Sequence, residues 1–142
     1  MRVEQILARK GDEVATIPPD SLVADALREL GRRGIGALVV SSDGLRAEGI
    51  VSERDVVRAL ASDGAAALGL EVSRIMTREV VTCDPDDTIE EVMQAMTSGR
   101  FRHVPVVRHG DLLGLVSIGD VVKEMLHEQQ FLIDRLEHYI TT

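Results

Sequence analysis

Apolar positions along the chain fall into short runs and helical stripes that occur twice, in the same order. A short apolar stretch ending at Thr16-Ile17 reads as a strand, and Val81-Thr82-Cys83 reads as its counterpart. Pro19 and Pro85 end these strands, and the Asp, Ser and Thr residues behind them start a helix; Thr88-Ile89-Glu90-Glu91 is a capping-box pattern. Val23, Ala26, Leu27 and Leu30 keep helical spacing, as do Ile89, Val92, Met93 and Met96. Gly31, Gly34 and Gly99 mark where those helices stop. Ala37–Val40 and His103–Val107 predict second strands. A Gly-containing turn leads from each to a third, Gly49–Val51 and Leu112–Val116. Ser52 and Ser117 then cap a second helix. The unit is β-α-β-β-α, twice, an α+β (α/β-like) composition. Beyond the second copy, Leu126, Ile133, Leu136 and Ile140 continue a helical stripe flanked by Leu132 and Tyr139. This extension either packs on its own chain or serves as a dimer-forming arm.

The two units match residue by residue. Thr16, Pro19 and Asp20 recur as Thr82, Pro85 and Asp86, each 66 positions on. Gly49-Ile50-Val51-Ser52-Glu53-Arg54-Asp55 recurs as Gly114-Leu115-Val116-Ser117-Ile118-Gly119-Asp120, 65 positions on, and Val3–Leu7 echoes Val72–Met76. Two copies of a unit this long point to a pseudo-symmetric pair of lobes, not a solenoid. The copies span residues 3–62 and 72–126, with a helical extension over 127–142.

Composition narrows the functions. Of 142 residues, 44% are hydrophobic, enough for a folded core. No apolar run suits a membrane helix and Met1–Gln5 starts no signal peptide, so a cytoplasmic protein is expected. The lone Cys83 excludes an intrachain disulfide and argues against a cysteine zinc cluster. A net charge of −8 and only three aromatic residues argue against nucleic-acid binding. There is no Gly-x-x-x-x-Gly-Lys-Ser/Thr loop, and Gly31–Gly36 follows a helix where a dinucleotide fingerprint follows a strand. His103, His109, His127 and His138 form no metal-binding pair, so an enzyme acting on nucleotides is the least supported class.

Ser52-Glu53-Arg54-Asp55 and Ser117-Ile118-Gly119-Asp120 carry the candidate chemistry. Each is a capping box. Each Asp could also accept hydrogen bonds from both hydroxyls of a ribose, with Ser and the free N–H groups of the helix start favouring phosphate. A second feature is the basic cluster Arg100, Arg102, His103, Arg108 and His109. Arg108 and His109 read as a solvated loop beside a turn. Arg102 and His103 stand at a strand entrance, where a side chain can face a cleft and an arginine fork suits phosphate oxygens.

These motifs, in two ordered copies over about residues 3–126, resemble a CBS domain pair. That module is named for cystathionine β-synthase and occurs in inosine monophosphate dehydrogenases and the gamma subunit of AMP-activated kinase. The chain also resembles small stand-alone bacterial CBS-pair proteins. The resemblance implies a pair that forms a homodimer and binds an adenosine-containing nucleotide between repeats: AMP, ADP, ATP, NAD or S-adenosylmethionine. It carries the ribose role to Asp55 and Asp120 with Ser52 and Ser117, and the phosphate role to Arg102 and His103. It carries contacts to adenine or phosphate to Thr82 and Cys83 in one pocket and to Thr16 and Ile17 in the other. Residue by residue these last four also read as a strand Thr and its buried neighbour. His103 would gain charge beside a phosphate, strengthening binding at mildly acid pH. Gly36 and Ala37 replace the charged pair in the first copy, so the two sites are not equivalent; Arg54 could supply charge from another direction or sit on the surface. The expected function is a non-enzymatic sensor read by an effector protein. The alternative is an interaction or oligomerisation module with a vestigial nucleotide site.

Overall fold

The computed structural model describes residues 1–11 and 13–141. The first copy contributes α1 (Val3–Lys10), β1 (Thr16–Ile17), α2 (Val23–Arg33), β2 (Ala37–Val40), β3 (Gly49–Ser52) and α3 (Glu53–Asp63). Two 3-10 segments, Gly64–Gly69 and Val72–Arg74, lead to the second copy: α4 (Ile89–Gly99), β4 (His103–Arg108), β5 (Asp111–Ser117) and α5 (Ile118–Thr141). In the first lobe β1 runs parallel to β2 and β2 antiparallel to β3. In the second, β4 and β5 form an antiparallel hairpin. His109 (φ 54°) and Gly110 (φ 84°) close it, a two-residue turn whose positive φ values match the strand twist.

The expected strand at Val81–Cys83 shrinks to one parallel bridge, Cys83 to Val106. Its cause is chemical. In the first lobe Val39 N–H donates to Ala15 and Ser41 N–H to Ile17. The second lobe keeps the equivalent of the latter, Val107 N–H to Cys83, but Pro105 stands where Val39 stands and has no N–H to give. Two helix boundaries also differ from expectation. Ser21 and Asp20 do not cap α2; the cap position is Leu22, and Val23 N–H is taken by the Leu70 carbonyl at 2.9 Å. Gly99 is the last residue of α4, not its stop, and Arg100 takes the left-handed cap at φ 56°, ψ 41°. A Cβ on Gly99 would overlap the Phe101 ring, so glycine is demanded there by packing. Arg108 is no free loop residue: it pairs with Asp84 at 3.1 Å and Asp86 at 2.9 Å.

Two aliphatic cores result, and each takes its leading element from the other copy. Val3 and Ile6 of α1 pack with Ile89, Val92, Met96, Val104 and Val116 of the second lobe. Val72 packs with Ile17, Val23, Leu38 and Val51 of the first. Backbone bonds lock both exchanges, Ile89 N–H to Met1 and Val72 N–H to Ser21. The extension is one unbroken continuation of α5. From Leu126 its apolar side chains stand in solvent, Leu126 at 60% and Tyr139 at 82% exposed, so it does not pack on its own chain among the described residues. Thr142, the last residue of the expected extension, lies outside them.

Candidate functional site

A cleft of about 750 Å³ opens between the copies. One wall is the β3–α3 junction. Ser52 ends β3 and caps α3, its Oγ accepting from Asp55 N–H at 3.4 Å. Asp55 Oδ2 accepts in return from Ser52 N–H at 2.8 Å and Ser52 Oγ–H at 3.0 Å. Among the described residues Asp55 Oδ1 is left with a single long bond, from Thr77 Oγ–H at 3.4 Å. Thr77 is held there because the linker, here the stretch from Ile75 to Thr82 that follows Val72–Arg74, pairs with the edge of β3: Ile50 N–H donates to Thr77 and Thr77 N–H to Ile50. The linker then continues along the cleft as Glu79, Val80 and Val81.

The facing wall comes from the second copy: Gly99 and Arg100 at the end of α4, then Phe101, Arg102 and His103 entering β4. Arg54 crosses the opening and donates to the Arg100 carbonyl at 3.2 Å. Arg54, Arg58, Arg100 and Arg102 all line the cleft against Glu53, Asp55 and Glu79. None of the four arginines has a carboxylate within ion-pair distance among the described residues. An acidic protein thus gathers unneutralised guanidinium groups in one concave place, beside the N–H groups of a helix start. His103 is half-buried, and burial holds its imidazole below the usual histidine range. Lys10 and Arg102 press the same way, against Asp120 and Glu53.

Of the residues singled out in the sequence, Ser52, Asp55, Arg102 and His103 meet in this cleft. Arg54, Arg100 and Gly36 line it with them, whereas Thr16, Ile17, Thr82, Cys83, Ser117 and Asp120 do not. Cys83 and Ile17 are buried in the second and first cores. Burial, with Asp87 and Asp84 adding to it, pushes the Cys83 thiol up to about 12, so it is a small hydrophobe. Thr82 is exposed, and Thr16 lies in β1 against Val39. Ser117 and Asp120 repeat the capping box at the start of α5, with Ser117 N–H to Asp120 Oδ2 at 2.9 Å and Asp120 N–H to Ser117 Oγ at 3.2 Å. There Lys10 Nζ also bonds Asp120 Oδ2, at 2.7 Å. The residues that sequence reasoning passed over are Arg58, Glu79, Thr77, Val80 and Val81. The last four lie in the second copy between the Val72–Met76 echo and Thr82, where the spacing gave a strand at most and no sign of a cleft wall.

Residues 3–62 and 72–127 each match the CBS domain family. The chain belongs to that family. This CBS pair is similar to a CBS-domain containing protein from Agrobacterium tumefaciens, 47% identical, with a TM-score of 0.83 over 86% of this chain and 91% of that one. It is 38% identical over 125 residues to a mitochondrial CBS domain-containing protein of Arabidopsis thaliana, covering 85% of this chain but only 61% of the plant protein's length. A CBS domain protein from Pyrobaculum aerophilum, solved as a complex with AMP, is 26% identical, with a TM-score of 0.75 over 84% of this chain and 89% of that one. Among the described residues no helix is long and apolar enough to cross a membrane.

Proposed function

We propose that this CBS pair is a non-enzymatic sensor that binds an adenosine phosphate in the inter-repeat cleft. The observation that carries the reading is the meeting of Asp55, with Oδ1 nearly free, and four arginines that have no carboxylate within ion-pair distance among the described residues, around one cavity of about 750 Å³. Its size falls in the usual range for small-molecule sites. Asp55 accepts the ribose hydroxyls, the apolar wall of Ile50, Val57, Val80 and Val81 takes the base, and Arg100, Arg102 and His103 take phosphate. The AMP complex of the Pyrobaculum aerophilum relative supports the ligand class. Both walls belong to different copies, so a ligand bridging them biases the set of the two lobes, by as much as its affinity differs between arrangements. An effector protein reads that change. The exposed apolar face of α5 favours a second role in association, with homodimer formation as the first form to test.

Titration calorimetry with AMP, ADP, ATP, NAD and S-adenosylmethionine, with GMP as control, tests this reading. Selective binding of one or more adenine ligands is expected. Binding of none, or equal binding of GMP, overturns it in favour of an interaction module.

A further inference from the structure

The two copies build two seats for a carboxylate at a strand–helix junction, and the structure treats them differently. Asp55 faces open space. Asp120 is covered by α1: Lys10 Nζ lies 2.7 Å from Asp120 Oδ2 and 2.7 Å from the Leu115 carbonyl. Leu115 corresponds to Ile50 by the repeat, so Lys10 occupies the place where, in the other seat, the linker runs beside Asp55. One turn further along α5, Arg9 approaches the buried Glu124 at 3.4 Å, fastening the same end of α1. Leu7 closes over Gly114, where a Cβ would overlap its side chain.

We infer that this chain has one operative nucleotide cleft, and that Lys10 closes the second by holding Asp120 as its counter-ion. The inference rests on the nucleotide reading of the Asp55 cleft. Two independent features agree, the Lys10 bonds with the charge state they hold and the missing cations of the second seat. Both Lys10 bonds are direct and short, and they set an ammonium against the carboxylate that a ribose would have to share. Burial by itself raises the Asp120 carboxyl, yet Lys10 and the Ser117 N–H hold it below the usual carboxylate range, so the pairing dominates its surroundings. The repeat equivalents of Arg100, Arg102 and His103 are Gly34, Gly36 and Ala37, which offer a phosphate no cation. The lobes fit each other through this same asymmetry: His103 leans against Gly36, where a Cβ would sit 3.3 Å from its ring. Asp120 is therefore a fastening for α1, not a ligand group, and Lys10 sets the number of sites.

Calorimetric stoichiometry with AMP and adenosine tests this on the full chain. Wild-type protein should bind one AMP per chain. Asp120→Asn should leave AMP affinity within about twofold, as for a residue outside the site. Asp55→Asn should lower it by about tenfold or more. Lys10→Ala should raise adenosine stoichiometry from one to two, Lys10→Arg should keep one, and Lys10→Ala with Asp120→Asn should return it to one. Lys10→Gln replaces Lys10→Ala if the latter melts too low to assay. Two AMP per wild-type chain overturns the inference while the nucleotide reading stands. So does a Lys10→Ala variant that still binds one adenosine. No binding to any variant overturns the nucleotide reading and the closed seat with it.

Discussion

Asp55→Asn isolates the proposed ribose contact, because it removes a charge and keeps the shape. Asp55 Oδ2 is committed to the capping box, at 2.8 Å and 3.0 Å from Ser52 N and Oγ. An amide oxygen still accepts there, so α3 should lose only part of the ~0.5–2 kcal/mol that an N-terminal cap contributes. Among the described residues Oδ1 holds only the 3.4 Å bond from Thr77, which leaves it as the acceptor for a diol. A hydrogen bond to a charged acceptor contributes roughly 1.5–3 kcal/mol, about ten- to 150-fold in affinity. Asp55 is half-buried, so water competes and the lower end of that range is expected. Calorimetry with AMP and 2′-deoxy-AMP on both proteins completes a cycle. Wild-type protein should prefer AMP by about tenfold, and Asp55→Asn should bind both weakly and alike. An equal loss for both ligands in the variant, with the wild-type preference intact, would show that Asp55 acts through the helix start alone.

Other consequences are open to simple measurement. Arg100→Gly removes a side chain from a left-handed position and a cation from the cleft. The melting temperature should rise by roughly 2–5 °C, from about 1 kcal/mol of relieved strain, while AMP affinity falls severalfold; a fall in both would refute the strain account. His103 has a folded-state pKa below its unfolded value, so the unfolded chain binds the extra proton. Its contribution to stability is complete above about pH 6.5 and declines as pH drops from there through the folded pKa. Urea melts of His103→Gln between pH 7.5 and 5 should show a flatter decline than wild type, and parallel curves would contradict this. The Cys83 thiol, buried and pushed up to about 12, should resist a thiol reagent at pH 8 until the protein is unfolded in guanidinium. Rapid labelling of the native protein would place it elsewhere than the core.

Local chemistry was readable from the residues themselves. Both Ser-x-x-Asp capping boxes, the helical stripes of α2 and α4 and the turn before β5 depend on neighbours within one or two turns of chain, and they form as their spacing demands. So was the pairing of lobes, because the unit is repeated. One strand failed for a local reason visible only after its partner was known: Pro105 lacks the N–H that strand pairing at Val81 needs. The helix start at Leu22 depended on a carbonyl from Leu70, which no pattern around Leu22 discloses.

The proposal of one cleft as the site required the tertiary structure. Both aspartates look equal in sequence. Packing the lobes face to face sets Asp55 opposite Arg100 and Arg102, and Arg54 beside a carbonyl 46 residues away. The same packing brings Lys10 onto Asp120 across 110 residues. Contacts of that separation leave no period in the chain, because helical and strand spacings report only which face of an element is buried, not which element it is buried against. Pattern and repetition were enough for two lobes and their candidate carboxylates; the exchange of α1 and Val72 between cores left one carboxylate facing the cleft and tied the other down.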